Sequence, residues 1–161
     1  MIDPATAVES LIGDALADQR GRRVLLSLLR AHASLMRELG IDLIRTTGLS
    51  LGEFDVLAQL ALAGGELRMT DLAARAYSSR SGMTRRVDRL VGSGFVGRSS
   101  DDADARGVVV TLTDAGLARL RETVPVHLRG VSKLFVDPLD DEELEVVERA
   151  LKKVAIDSSF G

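Results

Sequence analysis

Cysteine and tryptophan are absent from this 161-residue chain, and one Tyr, four Phe and two His complete its aromatic and imidazole complement. Without thiols there is no disulfide frame, no thiolate zinc site, no cysteine nucleophile and no thiol-based redox sensor. His32 and His127 lie far apart and offer no HxxxH or HExxH spacing, so no metal centre is expected and both are read as packing residues. No nucleophile elbow is read along the chain, and nothing else signals catalysis. The chain is therefore expected to be a non-enzyme without a cofactor. No run approaches the ~18 apolar residues of a membrane span. The opening MIDPATAVESLIGDALADQ has neither the basic nor the apolar region of a signal peptide. The expectation is a cytoplasmic protein that does not engage membranes.

What is present is a 45% hydrophobic, 28% charged composition of the globular class, with a formal charge of −3. The charge is unevenly spread. From Arg75 to Arg98 there are six Arg and one acid, Asp88, a local balance of +5 that leaves the remainder at −8. A solvated helix face usually mixes acids with bases at i,i+4 spacing. Here the acids are nearly missing, which suits a face that meets phosphate while the rest keeps the molecule soluble.

Apolar periodicity and caps divide the chain. Leu25, Leu28, Leu29, Leu35, Met36, Leu39 and Leu43 draw one stripe on a long helix from Arg22 to about Thr46, with Gly40 marking a bend or a close approach. Ser50-Leu51-Gly52-Glu53 is a capping box for a second helix carrying Phe54, Leu57, Leu60 and Leu62 and closed by Gly64-Gly65. After the short extended piece Glu66-Leu67-Arg68, Thr70-Asp71 is read as the cap of a brief third helix through Ala76. Ser79 is read as the cap of a fourth, Arg80 to about Val91, with Met83, Val87, Leu90 and Val91 facing inward. Phe95 to Arg98 and Gly107 to Leu112 form a hairpin whose tip spans residues 99–106. Thr113 caps a fifth helix toward Leu134, with a kink expected at Pro125. Asp140 and Glu143 box the start of a sixth, in which Leu144, Val147, Leu151 and Val154 make a seam.

Gly92-Ser93-Gly94-Phe95-Val96-Gly97 spells the dinucleotide fingerprint, but a helix precedes it and a strand follows, the reverse of what pyrophosphate binding needs. These glycines are read as a helix stop. Asp101, Asp102 and Asp104 lack the spacing of a calcium loop and are read as a solvated tip.

The fold class is thus mainly α with a small β-hairpin wing: a winged helix-turn-helix over residues 49–112, flanked by a helical dimerisation region of 1–48 and 113–161. Terminal helices with apolar stripes and so small a middle call for a second chain, and a two-fold homodimer is expected.

Three strings carry a resemblance: Leu72-Ala73-Ala74-Arg75, Ser79 to Leu90 followed by Gly94-Phe95-Val96-x-Arg98, and the Asp-x-Arg tip Asp104-Ala105-Arg106 running through Val108-Val109-Val110-Thr111-Leu112-Thr113-Asp114-Ala115-Gly116. In this order and spacing they resemble the MarR family of winged-helix regulators, over about Arg22 to Val154. Ala105 departs from that pattern, standing where a basic residue is common. The resemblance implies a homodimeric transcriptional regulator, a repressor in many members, that binds a palindromic operator in double-stranded DNA. It also implies release by a small aromatic or amphipathic acid.

Helix-turn-helix geometry places Ser79, Arg80, Ser81, Gly82 and Thr84 against base edges. Arg85 and Arg86 reach either guanine or flanking phosphate. Arg89 suits phosphate or an acid, Arg98 a backbone clamp, and Arg106 the minor groove. Arg30 and His32 are candidates for contacting an effector. The alternative reading is a winged-helix module for protein interaction that does not bind DNA.

Overall fold

In a computed structural model of the chain, the residues described are 19–75, 80–100 and 107–154. Among them run α1 (Gln19–Thr47), α2 (Leu51–Leu62), β1 (Glu66–Arg68), α3 (Met69–Arg75), α4 (Arg80–Gly92), β2 (Val96–Ser100), β3 (Val108–Leu112), α5 (Asp114–Val131) and α6 (Asp141–Val154). Two compact units emerge, Met1–Glu38 and Leu39–Gly161, with α1 running through the boundary. In the first, Val24, Leu25, Leu28 and Leu29 are exposed.

The second unit is built on local signals that the chain spells out. The Ser50 hydroxyl accepts from the Glu53 amide, and the Ser50 amide donates back to Glu53 Oε2 at 2.8 Å, so both halves of the capping box form. Gly64 and Gly65 close α2 at φ 88° and 107°, a region costly for any residue with a side chain. Thr113 caps α5. The second box closes as well, with Glu143 N donating to Asp140 and Asp140 N donating to Glu143. The third helix starts earlier than expected, at Met69, so Thr70 lies within it rather than capping it. Ser79, expected to cap α4, and Ala76 fall outside the described residues.

The expected hairpin is part of a three-stranded antiparallel sheet in the order β1-β3-β2. Leu67 pairs with Val110 on one side of β3, and Arg98 pairs with Val110 on the other. Val56, Leu57, Leu60, Leu72, Met83, Val87, Leu90, Val96, Val110 and Leu120 form one buried core, drawn from α2, α3, α4, β2, β3 and α5. Each such side chain contributes roughly 1.5–3 kcal/mol.

Several side chains depart from the expected stripes. Leu62 is 80% exposed, because at 100° per residue it sits roughly 200° around the helix from Leu60. Val56 takes the core position instead. Val91, expected inward, is 40% exposed, one step past the buried Leu90. A Cβ at Gly40 would meet nothing within 4 Å, so this glycine does not serve a close approach. Gly130 does: a Cβ there would lie 2.8 Å from Leu39 Cδ2. Helix α5 passes through Pro125 and ends at Val131, short of Leu134, in a π turn over Ser132–Val136 closed by Asp137 N donating to Ser132 O at 2.8 Å. No residue of α6 is buried. Its seam residues Leu144, Val147 and Leu151 line a shallow groove with Phe135.

Candidate nucleic-acid interface

Helix α4 is pinned from beneath by Met83, Val87 and Leu90, all at or below 1% exposure, so its remaining faces turn outward. Ser81 and Arg85, one helical turn apart, are exposed. Gly82, Thr84 and Arg86 are half-buried beside them. Arg80 opens the helix, and its side chain, like Ser79 and the wing-tip Arg106, lies outside the described residues.

Two acids engage the arginine cluster, Asp88 from within its own stretch of chain and Glu53 from outside it. Arg89 Nε lies 3.1 Å from Glu53 Oε1, on the first turn of α2. Arg98 Nη1, on β2, lies 2.8 Å from Asp88 Oδ1. Adjacent residues of α4, Asp88 and Arg89, therefore tie it to the wing and to α2 respectively. Arg86 lies over Gly52, close enough that a Cβ there would come within 2.5 Å of its Nε. Of the two roles open to Arg89, the structure shows it holding an acid.

Sequence reasoning missed Gly52 and Asp88 as site residues and saw Glu53 only as a cap. No periodic signal marks such pairs, because each joins two different elements of the fold. The pentapeptide Gly48-Leu49-Ser50-Leu51-Gly52 does spell Gly-x-Ser-x-Gly, contrary to the reading of no nucleophile elbow. It follows a helix rather than a strand, however, and the Ser50 hydroxyl donates to Glu53 Oε2 at 2.6 Å, so the serine is a cap and not a nucleophile.

Away from the arginine cluster in sequence, His127 of α5 packs against Phe54 of α2, with ring centroids 4.6 Å apart and planes tilted by 40°. Its Nδ1 is buried without a hydrogen-bond partner, and burial pushes the imidazole pKa below its ordinary value. Arg119, two turns earlier, places Nη1 3.2 Å from Glu122. No group of three or more His, Asp or Glu among the described residues is arranged to hold a metal ion. No helix among them is long and apolar enough to cross a membrane. Arg30 and His32 are both exposed on α1.

Comparison with known proteins agrees with this geometry. A family model described as MarR family matches residues 47–107, from the end of α1 to the wing. The HTH-type transcriptional repressor YetL of Bacillus subtilis is 34% identical over 97 residues, which are 60% of this chain and 58% of the repressor. The chain thus spans under two thirds of that relative. Sco3205, a MarR family transcriptional regulator from Streptomyces coelicolor solved in complex with DNA, is 31% identical. The match covers 85% of this chain and 86% of that one, with a TM-score of 0.78. BpsR of Bordetella bronchiseptica, whose DNA binding is regulated by 6-hydroxynicotinic acid, is 25% identical over 82% of this chain and 98% of its own, with a TM-score of 0.69. A helix-turn-helix with its wing, an arginine-rich fourth helix and a 31% identical match along 85% of the chain lead to one assignment: the chain belongs to the MarR family of transcriptional regulators.

Proposed function

We propose that the protein is a cytoplasmic, non-enzymatic homodimer that reads a palindromic operator in double-stranded DNA, and a repressor released by a small aromatic or amphipathic acid. The observation that carries DNA reading is the outward face of α4, where Ser81 and Arg85 project on a helix held rigidly from below. The winged helix-turn-helix of residues 49–112 is the reading head, and residues 1–48 and 113–161 are the dimerisation region. Exposed Val146, Leu151, Val154 and Phe135 support pairing with a second chain, which would take them out of water.

Ser79, Arg80, Ser81, Gly82 and Thr84 meet base edges in the major groove, and Arg85 and Arg86 read guanine or hold the phosphates beside it. Arg98, steadied by Asp88, presents its remaining donors to phosphate. Arg106 enters the minor groove. Effector release rests on the likeness to BpsR, and Arg30 and His32 are the side chains proposed to meet the acid's carboxylate.

Fluorescence anisotropy with duplex from the gene's own upstream region tests the reading. Arg85→Ala is expected to weaken operator binding by roughly 1–3 kcal/mol if the contact is bidentate to a base. Half-sites are expected about 10 base pairs apart on one face of the duplex. A wild-type protein that shows no salt-dependent binding to any duplex would instead favour a module for protein assembly.

A further inference from the structure

We infer that Glu53 is a positioning residue for DNA reading: it captures Arg89, keeps that guanidinium off the phosphate backbone, and so fixes the setting of α4. This rests on the DNA-reading role proposed above.

The Glu53 side chain is 11% exposed, whereas that of Arg89 is 65% exposed. The two carboxylate oxygens divide their work. Oε2 accepts from the Ser50 amide at 2.8 Å and the Ser50 hydroxyl at 2.6 Å. Oε1 meets Arg89 Nε at 3.1 Å. The cap therefore locks the carboxylate in place, and the locked carboxylate holds α4 at a point one turn beyond Arg85.

A buried carboxylate deprived of its cation is costly, whereas an exposed arginine gains little from one solvent-screened phosphate contact. An Arg89 that left Glu53 for phosphate would strand the carboxylate, so the pair persists on DNA, and a guanidinium whose charge Glu53 offsets holds phosphate weakly. The cap alone does not call for a charge at this position, since glutamine serves a capping box as well as glutamate. What glutamate adds over glutamine is the charge that pairs with Arg89.

The experiment uses full-length protein, a duplex selected from a random-sequence pool, a scrambled duplex of equal length and fluorescence anisotropy across a salt series. Glu53→Gln keeps the cap and removes the charge, while Arg89→Gln leaves the cap untouched. Each is expected to bind the selected duplex about fivefold more weakly with unchanged affinity for the scrambled one, a change in discrimination that partial unfolding would not produce. The double variant is expected to be no weaker than either single one. Arg89→Lys is expected to recover most of the loss. The salt slope of Arg89→Gln is expected to match wild type.

A slope flattened by about 0.9 in Arg89→Gln would place Arg89 on phosphate and overturn the inference. So would selected-duplex affinity that is unchanged in Glu53→Gln, or additive losses in the double variant. Failure of the wild-type protein itself to bind any duplex would overturn the DNA-reading role instead, and the inference with it.

Discussion

A Cβ on Gly116 would lie 2.0 Å from the carbonyl oxygen of Phe95, nearer than any real carbon approaches backbone oxygen. That oxygen already accepts from Thr113 N at 3.1 Å, so the base of the wing and the start of α5 are locked at this one point. Gly116→Ala must push backbone apart and is expected to cost about 1–3 kcal/mol or more in urea denaturation. Gly130→Ala meets only the end of a leucine side chain and is expected to cost less. Equal losses in the two variants would show that the wing base yields freely.

Gly52→Ala is expected to behave otherwise. The atoms that a methyl there would meet belong to the Arg86 side chain, which can swing aside. Replacing a helical glycine also gains up to about 1 kcal/mol in propensity. Thermal stability is therefore expected to stay near wild type while operator affinity changes, because Arg86 is displaced. A variant that loses more than about 2 kcal/mol on chemical denaturation would mean that Arg86 has no alternative position.

Thr113 joins two tasks. Its hydroxyl accepts from Gly116 N at 3.0 Å and donates to Gly94 O at 2.7 Å. Thr113→Ala is expected to cost about 0.5–2 kcal/mol, and Thr113→Ser to restore most of it. Calorimetry of the three proteins settles the comparison, and a serine variant as unstable as alanine would point to the methyl group instead.

The lowered pKa of His127 sets a pH dependence whose direction follows from linkage. The folded protein binds this proton less readily than the unfolded chain does, so the neutral imidazole's contribution is intact above the ordinary value of 6.5 and is lost as pH falls through the window below it. The melting temperature of the wild-type protein is expected to drop between about pH 7 and pH 5.5. His127→Phe removes the titration, and its profile is expected to be flatter over that range. Parallel profiles would exclude the histidine as the source.

The elements were legible where the signal was local. Ser50 with Glu53, Asp140 with Glu143 and Gly64-Gly65 each act within a few residues, and the caps and stops formed as read. Stripe assignment was less secure, because Leu62 and Val91 sit at the margins of apolar runs and only packing decides which way a marginal residue faces. The partner of β1, the ion pair of Glu53 with Arg89 and the contact of Arg86 with Gly52 join distant stretches of chain, and the pair of Asp88 with Arg98 joins a helix to the strand that follows it. No periodicity announces them. The π turn at Ser132–Val136 likewise leaves no composition signature, and Pro125, the visible irregularity, lies inside helix.

Strand β3 is hydrogen-bonded along both edges, to β2 on the outside of the wing and to β1, which leads directly into α3. Its end is held again where Leu112 N donates to Gly65 O at 2.7 Å. A wing built this way is no free finger. A tilt of these strands is therefore carried to the root of the third helix, as a lever carries a turn.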